Sequence, residues 1–87
     1  MEIQEFEPVM RILDEIINDR TVPKNIRAAA EESKNIMNNN GDTLELRISI
    51  AIHILDEITN DPNMPPYART KIWSVVSALE QKRRELS

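Results

Sequence analysis

The stretch ILDEITNDPNMPPYAR, residues 54–69, governs the architecture because it is a second copy of ILDEIINDRTVPKNIR, residues 12–27. Nine of the sixteen positions are identical at an offset of 42 residues. A repeat of this length is one supersecondary unit that cannot bury its apolar face without a neighbour. The chain is therefore expected to consist of two related halves that pack against each other.

The composition indicates a single helical domain, residues 1–87. A chain of 87 residues can build one modest core, and its single glycine and 3 % aromatic content disfavour a turn-rich β fold. The absence of cysteine excludes a disulfide framework and thiol catalysis. The acidic first residues lack the apolar run of a signal peptide, and no apolar run reaches the length of a membrane span. We expect a cytoplasmic protein with no membrane contact.

Two helical hairpins follow from the spacing of the apolar residues and from the prolines. The first hairpin, residues 1–40, contains predicted helices at 5–19 and 23–38, and the second, residues 42–87, contains predicted helices at 43–60 and 66–85. Short connectors make consecutive helices antiparallel, and the run 38–42 is expected to turn through residues that tolerate a left-handed backbone. The prediction is an all-α, four-helix up-and-down bundle. Two stacked HEAT-like hairpins are the alternative, because their repeat length fits the offset.

The segment 44–54 gives conflicting signals. Its apolar and polar residues alternate as in a β-strand, but they also form one wide apolar face on a helix. A lone strand would have no partner, and the segment runs unbroken into the repeated ILDEI. We therefore predict a helix that is buried on more than one side.

Comparison of the two copies assigns residues to the core. The apolar character is kept at three pairs of equivalent positions on the second and fourth helices, which predicts burial for both members of each pair. These pairs are Ile26 and Ala68, Ala30 and Ile72, and Met37 and Leu79.

The copies differ on the predicted fourth helix. Trp73 and Val76 stand where the first copy has Glu31 and Lys34, so the line Arg69, Trp73, Val76 carries apolar surface where its counterpart faces water. Either the second hairpin is more enclosed, or this line is a contact surface for another chain. A lone tryptophan in a small protein is more often core, whereas isolated aromatic anchors are also typical of contact hot spots.

Repeated charges are expected to stabilise the corners of the hairpins. Asp19 and Asp61 occupy equivalent positions, and so do Arg27 and Arg69. Acid at the end of one helix and arginine at the start of the next can join through charge-assisted hydrogen bonds. We predict the structural pairs Asp19 with Arg27 and Asp61 with Arg69.

The sequence offers little for catalysis. The single histidine, His53, precedes Asp56 and Glu57 by three and four residues, as in a helical metal site, but its counterpart is Arg11, so the second half-site is absent. With Gly41 as the only glycine, a glycine-rich phosphate loop is impossible. We expect no catalytic residue, no cofactor-binding residue, no metal ligand and no enzymatic activity.

Charge is unevenly distributed along the chain. Residues 1–61 carry six Lys or Arg against thirteen Asp or Glu, and residues 62–87 carry five against two, so the two parts have net charges of −7 and +3. An acidic body disfavours general nucleic-acid binding. The cations of the last part favour either a solvated helix end that complements the helix dipole or a small nucleic-acid contact. The candidate contacts are Lys71, Lys82, Arg83 and Arg84, with Arg69.

The second copy, with DPNMP at 61–65 and YAR at 67–69, resembles a family of small archaeal proteins catalogued as uncharacterised. The similarity extends over nearly the whole chain. It implies a compact four-helix bundle of the bromodomain-like type and an archaeal source, and it implies no activity, cofactor or site residue.

These patterns favour a non-enzymatic interaction or adaptor protein. Its partner would be an unidentified protein or a second copy in a homodimer formed through the fourth helix. The alternative is a nucleic-acid or ribonucleoprotein-associated protein that uses the basic face of that helix.

Overall fold

The computed structural model describes residues 6–86, which form four α-helices. The helices are α1 (Glu7–Ile17), α2 (Lys24–Met37), α3 (Leu44–Ile58) and α4 (Pro66–Leu86). The prediction of four helices is confirmed, and the segment 44–54 is helical throughout. Pro8 lies in the first turn of α1, where the missing N–H has no helical acceptor to lose. The predicted start of the first helix at residue 5 falls outside the described residues.

The four helices close into a ring. Each helix packs against the next, and α1 packs against α4, whereas the diagonal pairs α1 with α3 and α2 with α4 make no close backbone contact in the part of the chain that the structure describes. The bundle measures 34 × 20 × 19 Å. Stacked repeats would place the equivalent helices α1 and α3 side by side. The bundle prediction is therefore confirmed, and the stacked alternative is wrong.

The core lies on the bundle axis and receives equivalent residues from both hairpins. Leu13 and Leu55, which occupy the same position in the two copies, are both fully buried. All six positions predicted from the comparison of the copies are also buried: Ile26, Ala30, Met37, Ala68, Ile72 and Leu79. Burial of this apolar surface supplies the main driving force for folding.

The three loops between helices share one geometry. In each loop an Asp or Asn side chain accepts a hydrogen bond from the backbone N–H two residues later, which forms an Asx turn. The turn predicted at 38–42 is confirmed, but no residue among 6–86 has a positive φ, so it forms without the left-handed backbone that its residues tolerate. The side chain shapes the loop instead of an unusual backbone conformation. The bonds are Thr21 N to Asp19 Oδ1 at 2.9 Å, Gly41 N to Asn39 Oδ1 at 2.9 Å and Asn63 N to Asp61 Oδ1 at 2.8 Å.

An arginine at the fourth position of α2, α3 and α4 closes each loop. These residues are Arg27, Arg47 and Arg69, and all three donate to backbone carbonyls. The predicted partners of two of them were the carboxylates of Asp19 and Asp61. Arg27 bonds to Val22 instead of Asp19, so that pair is wrong, whereas Arg69 contacts Asp61 through the backbone carbonyl and not through the carboxylate. Carbonyls at helix ends and in loops lack helical N–H donors, and the guanidinium groups supply donors instead. The bonds are Arg27 Nε to Val22 O at 3.0 Å, Arg47 Nη1 to Met37 O at 2.8 Å, Arg69 Nη1 to Thr59 O, and Arg69 Nη2 to Asp61 O at 3.4 Å.

Candidate interaction surface on the fourth helix

Trp73 lies on the surface of the bundle. Its side chain is 55 % exposed, so the interpretation of Trp73 as a core residue is wrong. Val76 is only 7 % exposed and belongs to the core, and the half-buried Arg69 is engaged by the carbonyls of the third loop. At 3.6 residues per turn, Val76 lies roughly 60° around the helix from Trp73, toward the buried face. The three residues of the predicted line therefore do not form one surface: Val76 lies in the core, Arg69 binds the third loop, and Trp73 is exposed.

The exposed surface around Trp73 consists mainly of small, uncharged side chains over more than two helical turns. Apart from Lys71, whose side chain is 37 % exposed and pairs with Glu15 on α1, every exposed side chain from residue 70 to residue 78 is uncharged, and all but the indole are small. These side chains are Thr70, Trp73, Ser74, Ser77 and Ala78. The indole therefore stands above its surroundings, and its edges are accessible to another molecule.

Trp73 belongs to a stripe that runs along most of α4, which we call the α4 stripe. Successive members are separated by four and three residues in alternation, a spacing that keeps them on one side of a helix. The members are exposed except for the half-buried fifth residue. They are Pro66, Thr70, Trp73, Ser77, Glu80 and Arg84.

An acidic corner lies beside the start of α4. It consists of Asp19 in the first loop and Asp61 in the third. Tyr67 Oη donates to Asp19 Oδ2 at 3.1 Å, and Asn25 Nδ2 donates to Asp61 Oδ2 at 2.6 Å. Asn25 and Tyr67 occupy equivalent positions in the two copies, so each hairpin donates to the aspartate of the other. This exchange ties the two hairpins together at one end of the bundle.

Hydrogen bonds hold both corner carboxylates in the ionised form. The side chain and backbone of Thr21 lower the pKa of Asp19 below its usual 3.8, with smaller contributions from Tyr67 and Lys71. The backbone of Asn63 and the side chain of Asn25 lower the pKa of Asp61 in the same direction, with a further contribution from the charge of Arg69. The corner is therefore negatively charged at neutral pH.

The predicted nucleic-acid contacts do not form one basic patch. Lys82, Arg83 and Arg84 are consecutive, so their side chains leave the helix about 100° apart. Lys71 pairs with Glu15 on α1 at 3.2 Å, and its Nζ lies 6.0 Å from the centre of the Tyr67 ring. Near the end of α4, Lys82 Nζ lies 3.7 Å from Glu85 Oε1, and Arg84 Nη2 donates to Gln81 Oε1 at 2.8 Å.

His53 lies on the exposed face of α3. Its Nε2 is 2.7 Å from Glu57 Oε2, one turn further along the helix. Over residues 6–86, no three His, Cys, Asp or Glu side chains are grouped closely enough to hold a metal ion. A partly enclosed cavity of about 60 Å³ lies at the end of the bundle opposite the acidic corner, where Phe6, Met37 and Arg47 contribute to its wall.

Sequence reasoning missed Arg47, which is 6 % exposed and closes the second loop. The sequence signal for Arg47 was a third, degenerate copy of the ten-residue segment that spans each loop and ends at its arginine, which we call the loop motif. The segments NDRTVPKNIR (18–27), NNNGDTLELR (38–47) and NDPNMPPYAR (60–69) all begin with Asn, continue with Asp or Asn and end with Arg. A search for this spacing rather than for identity would have found it.

The closed ring, the three Asx loops and the exposed α4 stripe define the class of this chain: a small four-helix bundle built from two repeated hairpins. The chain belongs to the uncharacterised protein family UPF0147, whose sequence pattern matches residues 2–81.

Similar proteins come from archaea. A UPF0147 protein of Methanocaldococcus jannaschii is 60 % identical over 73 residues, which cover 84 % of this chain and 78 % of the relative. A UPF0147 protein of Methanothermobacter thermautotrophicus is 49 % identical over 83 residues, which cover 95 % of this chain and 81 % of the relative. The crystal structure of a UPF0147 protein from Thermoplasma acidophilum is 40 % identical and superimposes with a TM-score of 0.85, covering 92 % of this chain and 94 % of the other.

Among the helices formed by residues 6–86, none combines the length and the apolar character needed to cross a membrane.

Proposed function

We propose that this chain is a non-enzymatic, cytoplasmic protein-protein interaction domain whose contact surface is the α4 stripe around Trp73. The observation that carries the proposal is the exposure of the only tryptophan in the chain, at 55 %, among small uncharged side chains. Tryptophan is among the residues most enriched in contact hot spots, because one rigid side chain covers a large apolar area.

The free energy available at this position is sufficient to anchor a contact. Covering the exposed part of an indole that presents on the order of 100 Å² is worth roughly 2–3 kcal/mol at 25 cal/mol per Å². Leu46, Tyr67 and Leu86 are also exposed, at 47 %, 45 % and 42 %, but each is smaller than Trp73 and less exposed. Trp73 is therefore the strongest anchor among residues 6–86.

Two features support a binding role rather than catalysis. The partly enclosed cavity of about 60 Å³ is well below the 300–1,000 Å³ typical of pockets that hold small-molecule ligands, and the larger hollows, of about 260–380 Å³, are open to solvent. His53 contacts Glu57 of its own helix. Both side chains are exposed to solvent, so the pair does not form a shielded site.

Site-specific photo-crosslinking in cells tests the proposal. A benzoylphenylalanine is placed at Ser77, beside Trp73, or at Glu31, which is the repeat counterpart of Trp73 on the exposed side of α2. We expect adducts from position 77 that disappear when Trp73→Glu is added, and few adducts from position 31. Equal adducts from both positions, or adducts from position 77 that are unaffected by Trp73→Glu, would contradict the proposal.

A further inference from the structure

The α4 stripe has the spacing of a helix-pairing surface. Its six members from Pro66 to Arg84 alternate in steps of four and three residues, as the a and d positions of a coiled coil do. The eighteen helical steps from Pro66 to Arg84 extend the stripe over about 27 Å at 1.5 Å per residue. A second helix laid along α4 would therefore contact every member of the stripe.

The stripe is symmetric about the level of Val75. Each stripe residue before Val75 has a counterpart at the same distance after it. A second α4 that runs in the opposite direction would therefore place each stripe residue opposite a stripe residue of the first. The layers formed in this way are Trp73 with Ser77, Thr70 with Glu80, and Pro66 with Arg84, each occurring twice. In the first of these layers, each large indole faces a small hydroxyl side chain, so the two partners are complementary in size.

The charges of α4 fit the antiparallel direction. Arg84 of one copy would reach the level of Pro66 in the other, next to the acidic corner formed by Asp19 and Asp61. Glu80 would lie at the level of Thr70, between two cations of the partner, Arg69 and Lys71. A parallel pair would instead place Glu80 against Glu80 and Arg84 against Arg84, and like charges opposite each other are unfavourable.

The neutral centre and the charged ends act in different ways. The central members of the stripe, Thr70, Trp73 and Ser77, are uncharged and meet one another without repulsion, although the whole chain carries a net charge of −4. Exposed ion pairs contribute little affinity but distinguish one orientation from another. The indole would therefore supply most of the affinity, and the two ends would set the direction.

We infer that α4 pairs with α4 of a second copy of this chain in antiparallel orientation, about a two-fold axis at the level of Val75. This inference rests on the proposed function and names its partner. Such an interface is isologous, so it closes at the dimer and does not propagate. A contact made through one helix per chain is at the small end of protein interfaces, so the expected dissociation constant is micromolar.

Sedimentation equilibrium of the full chain from low to high micromolar concentration tests the dimer. The wild type is expected to change from monomer to dimer, whereas Trp73→Glu stays a monomer and Arg84→Glu weakens the dimer by at least three-fold. Glu31→Lys changes the charge by the same size with opposite sign on α2, which lies diagonally across the bundle from α4, and is expected to leave the dimer unchanged. Circular dichroism verifies that every variant retains its helices. A wild type that stays monomeric throughout would overturn the inference.

Engineered cysteines test the orientation, and the absence of natural cysteine makes the result unambiguous. Thr70→Cys and Glu80→Cys proteins are oxidised separately and as a mixture. The antiparallel pair predicts a disulfide between Cys at 70 and Cys at 80 in the mixture and little dimer in either separate sample, because equivalent positions lie on opposite sides of the axis. Disulfides that form equally in the separate samples would show a parallel pair and reject the inference.

The two proposals fail in different ways. Adducts between position 77 and a different protein, together with a monomeric wild type, would reject the second-copy inference and leave the interaction function standing. Absence of Trp73-dependent adducts would reject the function itself.

Discussion

Replacement of Arg47 by methionine is expected to lower the free energy of unfolding more than the same change at any other arginine of the loop motif. Arg47 is 6 % exposed, and its Nη1 donates to Met37 O at 2.8 Å. Methionine keeps much of the aliphatic stem but has no donor, so the carbonyl at the end of α2 loses its bond in a place with little access to water. Loss of a hydrogen bond from a charged group to a buried acceptor costs about 2–3 kcal/mol.

The two equivalent arginines provide a ranked series. Arg69 is half-buried and reaches two carbonyls, so Arg69→Met is expected to cost about 1–2 kcal/mol, whereas the half-buried Arg27 makes one bond and Arg27→Met is expected to cost about 0.5–1.5 kcal/mol. Arg20 in the first loop is exposed, and Arg20→Met serves as the control, with an expected change within about 0.5 kcal/mol.

Urea and thermal unfolding followed by far-UV circular dichroism measure the series. A loss of 1 kcal/mol lowers Tm by roughly 4–8 °C in a domain of this size, so Arg47→Met is expected to lower Tm by about 10–20 °C. The urea m-value should stay constant, since the fold is retained. A cost for Arg47→Met no greater than that of Arg20→Met, or a reversed order of the three arginines, would refute the assignment of these residues as loop closers.

Three further outcomes are expected. Leu13→Ala removes a fully buried side chain and should cost about 2–5 kcal/mol in urea unfolding; a cost below 1 kcal/mol would contradict the described core. The pKa values of Asp19 and Asp61 are lowered in the folded chain, so their contribution to stability is complete above their ordinary pKa of 3.8 and is lost as the pH falls through the folded values. The double variant Asp19→Asn, Asp61→Asn should therefore lose less stability than the wild type between pH 4 and pH 2, and identical pH profiles would show that the corner bonds do not contribute. Because the cations of α4 point in different directions, filter binding at low ionic strength should detect no stable complex with single-stranded RNA; a measurable affinity that falls steeply with salt would support the nucleic-acid alternative.

Much of the fold was predictable because its signals are local. Apolar residues at helical spacing located all four helices, and the comparison of copies identified buried positions such as Ile26 and Ala68. The middle loop motif was not recognised, because NNNGDTLELR shares only its first and last residues with NDRTVPKNIR. What the motif conserves is an Asx side chain and an arginine at set distances, and their common role is visible only in the hydrogen bonds.

The partners of the corner residues were not predictable from charge. Opposite charges at repeated positions suggested ion pairs, but the carboxylates accept from Asn25 and Tyr67 of the other hairpin, and the arginines donate to carbonyls. These choices depend on which groups the closed ring brings within reach. A sequence specifies the charges and not the directions in which they point.

Local periodicity was thus enough to establish helix number, helix type and most of the buried face, since these depend on residues within one or two turns. The closure of the ring, the exposure of Trp73 and the burial of Val76 depended on tertiary packing. Both a closed bundle and stacked hairpins bury the same periodic faces, so the contact of α1 with α4 distinguishes them. The rotation of α4 against α1 and α3 then placed Val76 inside and left Trp73 in solvent, because a difference of roughly 60° around the helix is enough to move a side chain from core to surface.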